Sequence, residues 1–224
     1  MFPVMDALLV YSRTLGWRHK SIPRSLAALK KLGRENGFRV ETTEDDSAFN
    51  QANLARFQAV MFLNSTGNVL SPAEREAFEG YIRGGGGFAG VHAACDTGYD
   101  WPWYGELVGA YFASHPVVQP GRIKVEDREH PSTRDLPDGW KRWDEWYDYK
   151  ENPRGKVRVL AALDEGSYAG GKMGADHPIV WCREFEGGRS WYTGLGHTGK
   201  GFADPIYLRH LLGGIEYAMG RGMR

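Results

Sequence analysis

The chemistry open to this chain rests first on imidazole. Of its seven histidines, six (His19, His92, His115, His130, His177 and His197) fall in loops or at the ends of apolar runs, and only His210 lies inside a helical pattern. Imidazole, with an unperturbed pKa of ~6.5, suits proton transfer near neutral pH and is also a ready ligand for divalent Zn or Ni. His92 and His197 stand out because each ends a glycine-bearing run, Gly87-Phe88-Ala89-Gly90-Val91-His92 and Trp191-Tyr192-Thr193-Gly194-Leu195-Gly196-His197. The first has the form of a nucleophile elbow, a buried strand whose functional tip is flanked by small residues. Its tip is a histidine, seldom a covalent nucleophile. Cys95, three residues on, reads as a packed small hydrophobe, so thiol catalysis is not expected.

Carboxylates come from Trp143-Asp144-Glu145-Trp146-Tyr147-Asp148. Acids wedged between aromatics are partly desolvated, which raises a carboxyl pKa and suits Glu145 to general-acid work. Asp96, four residues beyond His92, is expected on the same helical face, orienting the imidazole or bonding substrate. Six loop histidines exceed what one acid–base pair needs. A divalent metal held by two or three of His19, His92, His115 and His177 is therefore a competing reading, although no HxH or HExxH places two ligands on one element.

These residues need a frame. Ala7–Tyr11, Ala59–Leu63 and Phe88–Val91 are unbroken apolar runs, typical of strands covered on both faces, and Phe38–Thr42 reads as a further strand. Between them lie helical patterns. One opens at Ser21 and Pro23 and stops at Asn36-Gly37; another opens with the Ser71-Pro72-Ala73-Glu74 cap and ends at Gly84–Gly87. The pattern predicts an α/β fold, an open and mostly parallel sheet with helices on both faces. In such sheets ligands bind beyond the carboxyl ends of the strands, where the histidines fall. The second half holds strands near 157–161 and 179–185, the latter turned by Gly187-Gly188 into 189–193, and a closing helix over about 205–219. Between 101 and 155 lies an irregular, aromatic-rich insertion with one strand candidate, 122–125, expected to fold over the sheet.

Composition narrows the partners. Lys+Arg and Asp+Glu both number 28, and a zero balance disfavours nucleic acid and anionic membranes. Thirty glycines with eight tryptophans suit a small-molecule pocket better than a scaffold. Two cysteines without a CxxC, no apolar run long enough to span a bilayer and no signal-like start predict a cytoplasmic protein folded as one domain over 1–224, its oligomeric state open. GxGxxG, Walker and GxSxG motifs are lacking, which disfavours nucleotide enzymes and serine hydrolases.

Taken in order, Arg18-His19-Lys20-Ser21, Asn64-Ser65-Thr66-Gly67, Gly90-Val91-His92-Ala93-Ala94, His115-Pro116, Asp144-Glu145-Trp146-Tyr147, His177-Pro178 and Gly187-Gly188-Arg189 through His197 resemble the trehalose-utilisation (ThuA-like) family across nearly the whole chain. The resemblance implies a class I glutamine amidotransferase-like (flavodoxin-like) three-layer sandwich with histidine replacing the catalytic cysteine, and a role in sugar catabolism, especially of keto disaccharides. The reading that follows is a carbohydrate-active hydrolase, lyase or isomerase, not a glutamine amidotransferase. His92 or His197 acts as base and Glu145 as acid, with substrate held by His19, Asn64, Asp96, His115, Tyr147, His177 and Arg189. A keto group acidifies the neighbouring C–H, which opens elimination chemistry. The alternatives are a non-catalytic sugar-binding or regulatory protein, and the His-ligated metal enzyme.

Overall fold

A computed structural model describes residues 5–221. The apolar runs become β1 (Ala7–Tyr11), β3 (Ala59–Leu63) and β4 (Gly87–Val91), each buried at every position. Strands buried on both faces need cover on both, and amphipathic segments supply it. α1 (Ile22–Glu35) buries Leu29 and Leu32 and leads to the edge strand β2 (Arg39–Thr43). A short α2 (Gln51–Leu54) precedes β3, and α3 (Pro72–Arg83) starts where its cap predicts, Glu74 accepting the Ser71 N–H at 2.7 Å.

The rest of the chain runs α4 (Pro102–Val108), β5 (Phe112–Ser114), β6 (Gln119–Val125), β7 (Trp140–Asp144), β8 (Asp148–Tyr149), β9 (Arg158–Asp164), β10 (Pro178–Phe185), β11 (Gly188–Thr193) and α5 (Pro205–Met219). Glu186 and Gly187, at φ 47° and 94°, make the tight left-handed turn that joins β10 to β11.

The main sheet has nine strands in the order β2-β1-β3-β4-β11-β10-β9-β6-β7. It is parallel from β2 through β11 and antiparallel from β11 to β7. Helices cover both faces, as alternation along β11 shows. Ser190 Oγ donates to the Leu107 carbonyl of α4 at 2.6 Å, while the next residue, Trp191, packs against Gly214 of α5 so closely that a β-carbon there would meet its ring at 2.3 Å.

The middle stretch is more regular than the sequence suggests. Instead of only folding over the sheet, it extends the sheet through β6 and β7. β7 was hidden because both faces carry tryptophan: Trp140 is 5% exposed and Trp143 is 61% exposed. Buried and exposed positions alternate along the strand, but apolar and polar residue types do not. This extension matters for the site. β1, β3, β4, β11 and β7 all run the same way, so the loops after their carboxyl ends leave from one edge.

Candidate active site

Two strand tips set up the site. Asn64, just after β3, and His92, just after β4, both adopt φ 51°. Left-handed backbone costs a residue with a β-carbon roughly 1–2 kcal/mol, so neighbours must hold it. The Asn64 amide donates to Ser21 Oγ at 3.1 Å and to the Gly196 carbonyl at 3.3 Å. His92 is fully buried, and its Nδ1 donates to the Gly194 carbonyl at 2.8 Å. A carbonyl can only accept, so this bond fixes the tautomer of the neutral ring and leaves the lone pair on Nε2.

That lone pair has company. His92 Nε2 lies 3.4 Å from Glu145 Oε2, and His197 Nδ1 lies 3.0 Å from the same oxygen. His115 Nδ1 approaches the other carboxylate oxygen at 3.2 Å. His19 closes the group edge-on, with ring centroids 5.0 Å from His92 and 5.2 Å from His197. One donor atom from each of His19, His92, His197 and Glu145 falls within 4.8 Å of all the others. Yet His19 Nδ1, His92 Nε2 and His197 Nδ1 are buried without a hydrogen-bond partner that meets both distance and angle. A buried polar atom left unsatisfied costs about 1–3 kcal/mol. Three such nitrogens converging beside a carboxylate form a set that could hold a divalent ion.

Charge follows from this packing. Burial pushes His19 down to about 3, and His92 and His197 beside it add to the effect, so it is a neutral donor. Burial disfavours ionised Glu145, but His197 and His92 outweigh it and hold the carboxyl well below the usual carboxylate range. The direction is opposite to the rise expected from desolvation by the aromatics alone. For His197 burial lowers the pKa, and Glu145 more than reverses this, leaving it above the ordinary value.

Beneath the cluster sits a residue the sequence reading gave no role. Asp144 is fully buried and accepts the backbone N–H groups of Glu145 (3.1 Å), Gly196 (3.1 Å) and His197 (3.0 Å). One carboxylate thus ties the end of β7 to the loop after β11. Its charge is balanced by Arg142 at 3.4 Å, which also pairs with Asp204 at 3.1 Å. The signal was its position next to Glu145, but only the pleat shows that the two side chains diverge.

The structure gathers His19, His92, Glu145 and His197 at one edge, with His115 at the rim, its side chain 40% exposed. Tyr147 forms the wall, its ring 4.1 Å from His92. Asn64 is at the site, but its amide is committed to backbone and Ser21, so it braces the loops rather than facing a substrate. Asp96 departs from expectation. His92–Asp96 is a 3₁₀ turn, so the helical i,i+4 argument fails, and Asp96 accepts from Tyr99 Oη at 2.6 Å.

Arg189 lies at the start of β11, the far end of the strand from His197, and donates to the carbonyls of Ala218 and Gly85; it braces the opposite edge. His177 joins a different group, with Nδ1 2.9 Å from Glu165 and Nε2 donating to the Tyr147 carbonyl at 2.9 Å. The expected ligand set of His19, His92, His115 and His177 is therefore replaced by His19, His92, His197 and Glu145. His210 is buried in α5 between the Ser132 carbonyl and Thr193 Oγ1.

The family model for trehalose utilisation (ThuA) matches residues 7–218. Among solved structures, a ThuA-like protein from Bacteroides uniformis ATCC 8492 is 28% identical, with a TM-score of 0.82 over 95% of this chain and 91% of that one. A second, from Parabacteroides merdae ATCC 43184, is 20% identical with a TM-score of 0.76 over 98% and 92%. A beta-galactosidase from Bacillus circulans sp. alkalophilus shares the fold at 13% identity and a TM-score of 0.63, covering 97% of this chain but 32% of that one. No curated protein matches the chain. Among the described residues, no helix is long and apolar enough to cross a membrane.

Proposed function

The chain belongs to the trehalose-utilisation (ThuA) family, and from that premise we propose that it is a cytoplasmic enzyme acting on a disaccharide or its keto derivative at a divalent metal, Zn or Ni, bound by His19, His92, His197 and Glu145. The observation that carries this reading is the convergence of three buried, unpartnered imidazole nitrogens on one carboxylate. An acid–base pair of histidines would not need three free nitrogens facing one another, whereas a metal uses each as a ligand. The donors suit it: His19 is held neutral by burial, Glu145 is ionised, and the Gly194 carbonyl fixes the His92 lone pair. A divalent ion here would polarise a carbonyl or activate water.

The chain's own groups do the rest. Tyr147 and Phe112, with centroids 4.4 Å apart, wall the site and exclude water from one side. His115, at the rim with Nδ1 near Glu145, is the imidazole placed to move a proton to or from substrate at Nε2. Thiol chemistry is disfavoured, since Cys95 is fully buried and burial pushes its thiol up. The test is incubation with trehalose, other disaccharides and their 3-keto forms, products being read by mass spectrometry with and without chelator. Product should form in wild type and in Cys95→Ser, and be lost in His92→Ala and after metal removal. Chelator-insensitive turnover would return the site to metal-free acid–base catalysis. Sugar binding without turnover would favour a binding or regulatory protein.

A further inference from the structure

Most large exposed apolar side chains lie close in sequence to residues of the cluster. Among the described residues they are Met5, Leu15, Trp17, Tyr99, Val117 and Trp143, and all but Met5 sit on segments that also carry a histidine or glutamate of the site. Trp17 precedes His19 by two residues and is 70% exposed; Trp143 precedes Glu145 by two and is 61% exposed. Each lines a cavity. One, of about 400 Å³, holds Trp17, Lys20, His19 and His197. The other, of about 680 Å³, holds Trp143, Lys141 and Lys200. Both are bounded by Thr198 and Gly199, so the two cavities adjoin along the segment that follows His197.

From this we infer that Trp17 and Trp143 are two ring-stacking platforms for a glycoside of at least two sugar units, the ring on Trp17 being the one presented to the His19–His197 edge. This inference rests on the carbohydrate reading above and deepens it. An indole offers a flat apolar face, and a pyranose offers a flat C–H face ringed by hydroxyls. Lys20, Lys141 and Lys200, which have no ion pair among the described residues, line the two cavities and offer donors to those hydroxyls. The far wall is already fixed, since Arg142 is held by Asp144 and Asp204 and lies 4.2 Å over the Tyr207 ring. A protein partner is a poorer fit, because interface cores are depleted of lysine and here each tryptophan is flanked by it.

The experiment measures binding of trehalose, maltose, cellobiose and glucose, and of the 3-keto disaccharides, by calorimetry on wild type, Trp17→Ala and Trp143→Ala. Metal content and Tm are recorded for each. Both tryptophans are exposed, so folding tolerates the change. Trp17→Ala should weaken every sugar the wild type binds by on the order of tenfold, the effect of losing one ring's apolar contact. Trp143→Ala should lower the ratio of disaccharide to glucose affinity by a similar factor, while Trp17→Ala keeps that ratio. Unchanged ratios in Trp143→Ala, with wild type binding and converting sugar, would overturn the two-platform site and leave the enzyme reading standing. A change from dimer to monomer in Trp143→Ala at constant sugar affinity would make the patch a contact between copies and overturn it too. Failure of wild type to bind any of these sugars would overturn both readings.

Discussion

Two clusters in this molecule draw on histidine and carboxylate but differ in how far the protein satisfies their polar atoms. His19, His92, His197 and Glu145 meet with three imidazole nitrogens unpartnered. Asp148, Glu165 and His177 also lie within ligand distance of one another, yet their polar atoms are engaged. His177 uses both ring nitrogens, and Glu165 accepts the backbone N–H groups of Met173 (2.8 Å) and Gly174 (2.9 Å). Asp148 accepts from Lys172 N and from Ser114 Oγ. Residue type and spacing therefore do not distinguish a ligand set from a strut. What distinguishes them is whether the protein itself satisfies the donor atoms.

The largest effect that separates the two is loss of a ligand. His92→Ala should cut affinity for Zn²⁺ by at least about a hundredfold, because a directly bound donor is removed, and calorimetric titration of the apo-protein reads it. The opposite pattern is expected in the second cluster. His177→Ala takes one partner from Glu165 and one from the Tyr147 carbonyl and should cost about 1–3 kcal/mol in denaturant unfolding, with metal stoichiometry preserved. If His177→Ala released metal at unchanged stability, the assignment of roles would be reversed.

A smaller effect tests the support beneath the first cluster. Asp144 touches no shared point with the histidines, but it holds the backbone of Glu145 and His197. Asp144→Asn should weaken metal binding roughly ten- to a hundredfold, as outer partners of ligands do. The absorption spectrum of the Co²⁺-loaded protein, which reports ligand geometry, should shift as well. An unaltered spectrum and affinity would make Asp144 a purely structural residue.

The smallest effect concerns a fully bonded histidine remote from metal. His210 has both nitrogens engaged, and burial pushes it down to about 3. Its folded pKa lies below the unfolded ~6.5. The stability its neutral form contributes is therefore present above pH ~6.5 and is lost as pH falls from there toward 3, at no more than about 1.4 kcal/mol per pH unit. Melting temperature should fall between pH 6.5 and pH 5, and His210→Gln should flatten that slope. A slope identical in the variant would assign the acid sensitivity to other groups.

Much of the frame was legible in the sequence. The runs behind β1, β3 and β4 could not be covered by water, and the Ser71-Pro72 cap and the Gly187 turn fixed α3 and the β10–β11 hairpin. β7 escaped because its two tryptophans face opposite sides. Histidines at strand tips pointed to the edge where His19, His92, Glu145 and His197 gather, but not to which of them would meet. His177 immediately precedes the antiparallel strand β10, so it stands at the same edge as His197 yet bonds Glu165 and the Tyr147 carbonyl. That choice depends on strand direction and pleat, which only the assembled sheet supplies. For the same reason the sequence does not show what lowers the Glu145 pKa, since the imidazoles beside it come from three distant segments.

Metal at the first cluster is the central expectation for this protein. Elemental analysis of purified wild type, His92→Ala and His177→Ala, each loaded with Zn²⁺ or Ni²⁺ and dialysed, tests it most directly. About one equivalent is expected in wild type and in His177→Ala, and none in His92→Ala. Less than about a tenth of an equivalent in all three, with no change in Tm on adding metal or chelator, would contradict the metal centre and leave the four residues as an acid–base cluster.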